Sequence, residues 1–441
     1  MSIPAQIALA FGSVAALLVL MALTRQLART VGLSAEVQRK LMHVGTGLFA
    51  LTFPWLFPDR WPVYMLVAAT FAVMLVLRMP AFSRGIGATL HGVERRSYGD
   101  FLLALSVGLC FFFAGDNTLL YVLPIAVLTL ADAAAALAGT TYGTRHFVVE
   151  DGSKSIEGSA VFFVIALLIA LVCFLLLSDL PAPNILALSL MLAAFGTLVE
   201  AQSWSGFDNL FLPMGLLVFL AIHGQSSLPE LAILAAIFLA AIIVARNLGP
   251  RIGLSRQAAR VYVIATFLVL AVTAPQNAVL PIAALAAHLW ARAANPTDST
   301  HPDLEIVAAI GLVSFGWLAL GNGSGWNAVA FYGVTMAGMA TAFAACATRN
   351  LLVVPAFALA LAAIHTAVTA LNPPAANWAA PLWPLALITL AVCAALPALR
   401  PTHFARDRVR RITLLALALP LVTFLVSILG RSATVLESLN S

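Results

Sequence analysis

Two lysines stand apart among the basic residues of this chain. Lys40 and Lys154 are its only lysines, and the other 21 of its 23 Lys and Arg residues are arginines. A chain so biased towards arginine is expected to use arginine wherever a positive charge alone is needed. An ammonium group is a compact point charge that suits phosphate, so the two lysines indicate sites for a phosphorylated ligand.

The first lysine belongs to the segment Arg39-Lys40-x-x-His43-x-x-x-Gly47. Residues three, four and seven apart share one face of a helix, so Lys40, His43 and Gly47 line up. An imidazole inside a membrane helix is rarely tolerated without a partner. The segment is therefore a candidate functional site, and ordinary membrane anchoring by Arg39 and Lys40 is the alternative.

A carboxylate lies inside an apolar stretch further along the chain. In Asp132-x-x-Ala135-x-x-x-Gly139-x-x-x-Gly143, small residues continue the helix face that Asp132 occupies. An intramembrane aspartate is a functional candidate by default, and the small residues allow a ligand or another backbone to approach. The alternative is small-residue helix packing with Asp132 hydrogen-bonded to a neighbour.

The second lysine belongs to the segment 152–159, Gly-Ser-Lys-Ser-Ile-Glu-Gly-Ser, which is expected to open a helix. Free backbone N–H groups at a helix start, with serine hydroxyls and Lys154, make a cradle for phosphate. The segment does not align with the P-loop pattern. The alternative is a serine cap followed by a Lys154/Glu157 pair three residues apart.

An acidic loop carries Glu200 and the run Asp208-Asn209-x-x-x-Pro213, without any Lys or Arg. Carboxylates that work together with phosphate oxygens suit a hard cation such as Mg²⁺. A solvated loop with an Asp-Asn turn is the alternative.

The elements that must position these residues are membrane helices. The 441 residues are 62% hydrophobic and 9% charged, far from the composition of a soluble domain. A spanning helix needs about 20 apolar residues. The sequence therefore predicts an all-α polytopic membrane protein with about sixteen spans, at 5–23, 41–57, 62–77, 101–114, 119–139, 159–178, 185–199, 210–222, 228–245, 261–274, 278–294, 304–320, 327–346, 351–371, 381–399 and 412–429.

Loop charge predicts the orientation, because cytoplasmic loops carry the excess of Lys and Arg. With the N-terminus outside, 21 of the 23 basic residues fall in cytoplasmic loops, and only Arg60 and Arg431 do not. Both termini are then outside, and every polar segment described above faces the cytoplasm. The same bias explains the net charge of +5 without a nucleic-acid partner.

The two halves of the chain differ in kind. Residues 1–223 hold 12 of the 18 acidic residues and all the segments above, which predicts a catalytic membrane domain. Residues 224–441 predict an additional membrane domain of about eight helices, to which the sequence assigns no function. A Gly-Leu-Ser triplet at 32–34 recurs at 253–255, but His43 and Lys154 have no counterparts, and we interpret the recurrence as chance.

Over about residues 36–220 the chain resembles the family of phytol kinase, dolichol kinase and related CTP-dependent polyprenol kinases. The recurrent features of that family occur here in order: Arg39-Lys40-x-x-His43, Arg96-Ser97-Tyr98-Gly99, Asp132-Ala133-x-Ala135 with Gly139 and Tyr142-Gly143, Lys154-Ser155-x-Glu157-Gly158-Ser159, then Glu200 and Asp208-Asn209-x-x-x-Pro213. One departure is Thr140, where family members often carry a basic residue, and Arg145 is a substitute for it.

The resemblance implies phosphoryl transfer from CTP, with Mg²⁺, to a membrane isoprenoid alcohol such as phytol, farnesol, geranylgeraniol or a polyprenol, giving its monophosphate and CDP. It implies catalytic roles for Asp132, Lys154 and His43, and leaves the base open between Asp132, Asp208 and His43. The implied nucleotide-binding set is Arg39, Lys40, Gly139, Gly143, Arg145, Lys154, Ser155, Gly158 and Ser159. The implied metal-binding set is Asp132, Glu157, Glu200, Asp208 and Asn209.

Alternative functions remain at this point. Distantly similar enzymes join CTP to phosphatidate, and a diacylglycerol acceptor is open too. A lipid or solute transporter would use Asp132 and His43 as a proton relay. The composition favours a bacterial cytoplasmic membrane with the site facing the cytoplasm, and the sequence does not fix the oligomeric state.

Overall fold

The computed structural model describes residues 1–77, 98–150, 152–350, 352–372 and 382–440, without the side chains of residues 35, 36, 77, 271, 272 and 431–440. Nearly all of these residues are helical, and the predicted all-α membrane architecture is confirmed. The predicted Arg96 and Ser97 of the family segment lie outside the described residues. The chain forms two compact units, Met1–Val244 (unit 1) and Ala245–Ser441 (unit 2).

Unit 1 contains the residues of the first eight predicted spans and most of the ninth. Its helices are α1 (Ile3–Val31), α2 (Ala35–Leu51), α3 (Phe53–Leu56), α4 (Trp61–Leu77), α5 (Gly99–Ala114), α6 (Thr118–Ala126), α7 (Asp132–Tyr142), α8 (Ile156–Leu177), α9 (Ala182–Ala201), α10 (Asp208–His223) and α11 (Leu228–Leu248), the last of which continues past Val244. A π-helical turn, Val127–Ala131, joins α6 to α7. The span predicted at 41–57 is corrected: α2 begins at Ala35 and ends at Leu51, and Thr52 separates it from α3.

Unit 2 contains the residues of the remaining predicted spans. Its helices are α12 (Arg256–Val272), α13 (Val279–Ala294), α14 (Pro302–Ser324), α15 (Val329–Ala347), α16 (Val353–Leu371), α17 (Trp383–Leu399), α18 (Pro401–Ala405) and α19 (Arg408–Asn440). Helix α15 lies at the centre, because almost every residue along it is buried.

Many of these helices are long enough and apolar enough to cross a membrane. Within the described residues, nine helices are long and apolar enough, and four shorter apolar helices accompany them. A continuous helix satisfies its own backbone polar groups, which a bilayer cannot do. The number of crossings, their orientation and the domain boundary at residue 223 stay predictions.

A small hairpin interrupts the helices where the sequence predicted a helix start. Strand β1 (His146–Val149) pairs antiparallel with β2 (Gly152–Ser155), and α8 begins only at Ile156. The prediction for the segment 152–159 is therefore corrected: its first four residues are a strand, and Lys154 lies opposite Phe147 in the hairpin.

The recurring Gly-Leu-Ser triplet has the same local geometry in both units. Gly32 (φ 72°) and Gly253 (φ 76°) adopt the left-handed conformation that favours glycine. Ser34 then caps α2 through the Val37 N–H, and Ser255 caps α12 in the same way. In both places the triplet ends one helical segment and caps the next, so its recurrence follows from capping requirements.

Candidate active site

A buried ion pair joins the two predicted intramembrane segments. Lys40 Nζ on α2 lies 2.6 Å from Asp132 Oδ2 at the start of α7, and only 8% and 7% of the two side chains are exposed. Burying two charges is costly unless they pair and form hydrogen bonds. The structural alternative for Asp132, a carboxylate hydrogen-bonded to a neighbour, is thus met by Lys40, and a functional role for Asp132 stays a prediction.

The π-helical turn before Asp132 provides a partner for His43. His43 Nε2 lies 3.1 Å from the Leu128 carbonyl oxygen and 3.6 Å from Asp132 Oδ2. A Cβ atom at Gly47 would overlap the Thr129 side chain, so glycine lets α2 approach this turn. Single π turns inside helices are frequent at functional sites, and this one brings His43 and Lys40 to the same carboxylate.

Lys154 forms a second cluster beside the first. Its ammonium group donates to Glu200 Oε1 (2.6 Å), to Ser203 Oγ (2.7 Å) and to the Glu200 carbonyl oxygen. The Lys154/Glu157 pair that the sequence offered as an alternative is replaced by this pairing, which links β2 to the end of α9. The three donors of the ammonium group are all used.

The two clusters belong to one electrostatic neighbourhood. The Asp132 carboxylate interacts with Lys154 as well as with Lys40 and His43. The Glu200 carboxylate interacts with Asp132 and Asp208. We name these side chains the acid–base cluster: Lys40, His43, Asp132, Lys154, Glu200 and Asp208. Segments that are far apart in sequence, including both lysines of the chain, therefore meet here.

The Glu157 carboxylate binds the two residues that precede the hairpin, Thr144 and Arg145. The Glu157 carboxylate accepts from Thr144 Oγ1 at 2.6 Å and from the Arg145 backbone N–H at 3.2 Å. The Arg145 side chain is exposed. The two hydrogen bonds to Glu157 connect the residues after α7 to the start of α8. Thr140 Oγ1 donates to the Ala136 carbonyl oxygen within α7.

The three predicted nucleotide-binding glycines lie where α7 and α8 cross. A Cβ atom at Gly139 would lie 2.8 Å from Ser155 Oγ, and one at Gly143 would lie 2.9 Å from Ser155 Cβ. Gly158 faces the same crossing, and its N–H donates to Ser155 Oγ at 3.0 Å. Close helix packing, the alternative offered for the small residues, is what these glycines do in this structure. Their contact with a nucleotide stays a prediction.

Two predicted metal ligands have oxygen atoms without hydrogen-bond donors. The Asp208 carboxylate is half-buried and makes no hydrogen bond or ion pair with any described residue, and the buried Asn209 Oδ1 likewise lacks a partner there. The Ser159 hydroxyl is also buried and unpartnered within the described ranges. No group of three or more His, Cys, Asp or Glu residues gathers to hold a metal in the part of the chain that is described. Mg²⁺ typically takes one or two carboxylates, phosphate oxygens and water, and Asp208 with Asn209 fits that pattern.

Sequence reasoning missed two partners in the site. Ser203 binds Lys154, and the Leu128 carbonyl binds His43. Ser203 lies three residues after Glu200, so an i,i+3 search from that carboxylate would have found it. Nothing in the sequence marks Leu128, because its carbonyl is presented by the π-helical turn. Arg39 is half-buried next to Lys40 on α2.

A comparison with known proteins finds a relative that is similar to about half of this chain. Over 212 residues the chain is 33% identical to a protein named phytol kinase from Synechocystis sp. (strain ATCC 27184 / PCC 6803 / Kazusa). The match covers 47% of this chain and 88% of that relative. No protein-family model matches the chain, and no solved structure matches it. More than half of the chain therefore lies outside the match.

Proposed function

The chain belongs to the phytol kinase family, and we propose that its unit 1 transfers a phosphoryl group from CTP to the hydroxyl of a membrane isoprenoid alcohol. It is an integral membrane kinase with an alcohol acceptor. The products are the alcohol monophosphate and CDP, with phytol or a short prenol as the first choice of acceptor. The observation that carries the proposal is the acid–base cluster, in which both lysines of the chain meet two buried carboxylates.

Phosphoryl transfer depends mostly on positioning and on neutralising phosphate charge. Lys40 and Lys154 supply ammonium groups, each of which is held by a carboxylate, Asp132 or Glu200. Only one of the three donors of Lys40 is used by a described partner. A triphosphate would take the remaining donors and share Lys154 with Glu200.

Mg²⁺ fits beside these lysines. Asp208 and Asn209 would hold it, because their oxygen atoms lack donors among the described residues. When bound, the ion neutralises charge on the phosphates. Glu157 is less suited to this role, since Thr144 and Arg145 already use its carboxylate.

Asp132 is the group that we assign to the acceptor. The alcohol oxygen attacks the terminal phosphorus of CTP, the bond from that phosphorus to the β-phosphate oxygen breaks, and CDP leaves with the bonding electrons. The alcohol proton passes to the Asp132 carboxylate, which Lys40 and His43 orient. The isoprenoid tail lies among the helices, and the site faces the cytoplasm of a bacterial cell.

The test uses purified protein in detergent with Mg²⁺, labelled CTP and a panel of phytol, farnesol, geranylgeraniol, polyprenol and diacylglycerol. CDP and lipid phosphate are both measured. Lys154→Ala is expected to lower turnover about a hundredfold to a thousandfold, the effect of losing a charge-stabilising group. The matched control is Arg60→Ala, which removes an exposed cation paired with Asp116 in the same unit and is expected to leave turnover unchanged.

The products distinguish the other functions. CDP-lipid with pyrophosphate would indicate a cytidylyltransferase, and phosphorylation of diacylglycerol alone would indicate a diacylglycerol kinase. Turnover that survives in Lys154→Ala, or no turnover with any acceptor, would contradict the assignment of the site.

A further inference from the structure

The end of α9 and the turn after it provide every hydrogen-bond acceptor that Lys154 uses. Glu200 lies in the last turn of α9, and both its carbonyl oxygen and its carboxylate accept from the Lys154 ammonium group. Ser203 lies in the turn itself, is half-buried, and accepts from the same ammonium group through its hydroxyl oxygen at 2.7 Å. A lysine side chain is long and flexible, so three acceptors on one short segment fix the position of its charge.

The turn is anchored to the rest of unit 1. Ser205 (φ 48°) and Gly206 (φ 84°) are consecutive residues in the left-handed region, which is unfavourable for a serine. The Ser205 carbonyl accepts from the backbone N–H of Tyr98, directly before α5, at 2.9 Å. Phe207 stacks on the buried Trp204 at 5.3 Å. A strained backbone persists only where its surroundings hold it in place, so the turn is a fixed support.

Ser203 supports Lys154 in a way that Glu200 does not. Its hydroxyl oxygen is neutral, so it orients the ammonium group without cancelling the positive charge. A charge that stabilises phosphate is more effective when it is oriented beforehand, because nothing has to reorganise during the reaction. Asp208, the proposed Mg²⁺ ligand, follows Ser203 by five residues on the same anchored segment. The segment therefore fixes Lys154 relative to Asp208.

We propose that Ser203 is a positioning residue, which holds the Lys154 ammonium group in the place where it binds the phosphates of CTP. This role rests on the proposed function, because that function assigns Lys154 to the triphosphate. Ser203 acts through Lys154 and needs no contact of its own with either substrate. Without the Ser203 hydroxyl, Lys154 stays paired with Glu200 but is free to turn about that pair.

The first test reads the lysines directly and needs no turnover. Trace acetylation of the full chain with acetic anhydride labels Lys40 and Lys154, its only lysines, in separate peptides that mass spectrometry quantifies. In Ser203→Ala, labelling of Lys154 relative to Lys40 should rise about threefold to tenfold, because the amine loses one of its three partners. The control, Ser178→Ala, removes a half-buried hydroxyl that donates to the Phe174 carbonyl, and should leave the ratio unchanged. An unchanged ratio in Ser203→Ala would overturn the proposal.

The second test asks whether the effect of Ser203 on turnover passes through Lys154. With CTP and the preferred alcohol, Ser203→Ala should lower kcat/KM for CTP about threefold to thirtyfold and leave the KM for the alcohol within about twofold. In a Lys154→Ala background the same change should alter kcat/KM by less than about twofold, because the side chain through which it acts is absent. Equal losses in the two backgrounds would overturn the proposal.

The two tests fail independently of the proposed function. Absence of turnover in the parent protein would overturn the proposed function, and the labelling ratio would then decide whether Ser203 holds Lys154. A raised labelling ratio with an unchanged kcat/KM for CTP would overturn the positioning role. If Ser203→Ala does not fold, Ser203→Cys replaces it in both tests, because a thiol is similar in size but accepts hydrogen bonds only weakly.

Discussion

Units 1 and 2 each bury an aspartate beside a histidine and a basic residue. Asp132 lies 2.6 Å from Lys40 and 3.6 Å from His43. Asp303 forms an ion pair with Arg292 and lies 3.1 Å from His288 Nε2. The two aspartate side chains are equally buried, at 7% exposure. The residue types and the burial thus fail to distinguish one unit from the other.

The surroundings of the two carboxylates differ. Arg292 also donates to the Gly253 carbonyl at 2.8 Å, and the Tyr262 hydroxyl lies 3.5 Å from Asp303. Asp303 and its partners therefore fasten α12, α13 and α14 to one another and to the turn before α12. The rigid guanidinium group of arginine carries several donors and so suits a residue that makes several fixed contacts.

In unit 1 the basic partner is Lys40, which donates only to Asp132 among the described residues, and a second lysine lies nearby. A buried Asp with His and a base is therefore compatible with a structural or a chemical role. What indicates chemistry in unit 1 is the choice of lysine and the presence of Asp208, whose carboxylate has no hydrogen-bond donor among the described residues.

The largest expected difference between the units is in turnover. Asp132→Asn removes the proposed proton acceptor and the anion that orients Lys40, so kcat/KM should fall about a hundredfold to a thousandfold. Asp303→Asn should leave turnover per folded molecule within about twofold, because no step is assigned to it. Both variants are assayed with CTP and the preferred alcohol, and size-exclusion chromatography gives the folded fraction. A similar loss in both would remove the distinction between the units.

The second expected difference is in stability. Asp303→Asn leaves the Arg292 charge without its carboxylate, and removing one partner of a buried ion pair costs about 3–5 kcal/mol. The free energy of unfolding of the full chain, measured by SDS titration in mixed micelles, should fall accordingly. Asp116→Asn, which removes an exposed partner of Arg60, is the control and should change it little. No change for Asp303→Asn would mean that this cluster does not fasten the helices of unit 2.

Sequence patterns identified the helices well, because a bilayer forces each apolar run of sufficient length into a helix. Each of the sixteen predicted spans overlaps a helix where it is described, although Thr52 divides the span predicted at 41–57. The patterns also identified the members of the acid–base cluster. They failed where geometry depends on distant contacts. Lys154 lies in the hairpin 146–155, and there its ammonium group binds Glu200 on α9 and not Glu157, its neighbour in sequence.

The same limit applies to the small residues. A glycine at a ligand site and a glycine at a helix crossing have the same sequence signature, and the three-dimensional neighbours of Gly139 and Gly158 decide between them. The π-helical turn at Val127–Ala131 had no sequence signal either, although Pro124 lies in the helix just before it.

A third comparison concerns glycines in helices of the two units. A Cβ atom at Gly158 would lie 2.9 Å from the Ala135 carbonyl oxygen and from Ser155 Oγ, whereas one at Gly316 on α14 would meet nothing within 4 Å. Gly158→Ala should therefore lower the free energy of unfolding by about 1–3 kcal/mol through overpacking. Gly316→Ala should leave it unchanged or raise it by up to about 1 kcal/mol, because alanine favours helix. A neutral Gly158→Ala would show that α7 and α8 separate easily.

The smallest expected effects come from a comparison of two serine caps, one in each unit. Ser155 accepts from the Gly158 N–H at the start of α8, and Ser255 accepts from the Ala258 N–H at the start of α12. Replacing either serine by alanine should cost about 1 kcal/mol of stability through loss of the cap. Ser155, however, follows Lys154, and its O–H has no acceptor among the described residues.

The hydroxyl of Ser155 is thus still able to donate to a phosphate while it caps the helix. Loss of one such hydrogen bond should raise the KM for CTP about twofold to tenfold in Ser155→Ala, with kcat nearly unchanged, because the bond is made to bound CTP and to the transition state alike. Ser255→Ala should leave both constants unchanged. If the two variants have the same KM for CTP, Ser155 acts only as a cap, and the phosphate contacts belong to Lys154 and Lys40 alone.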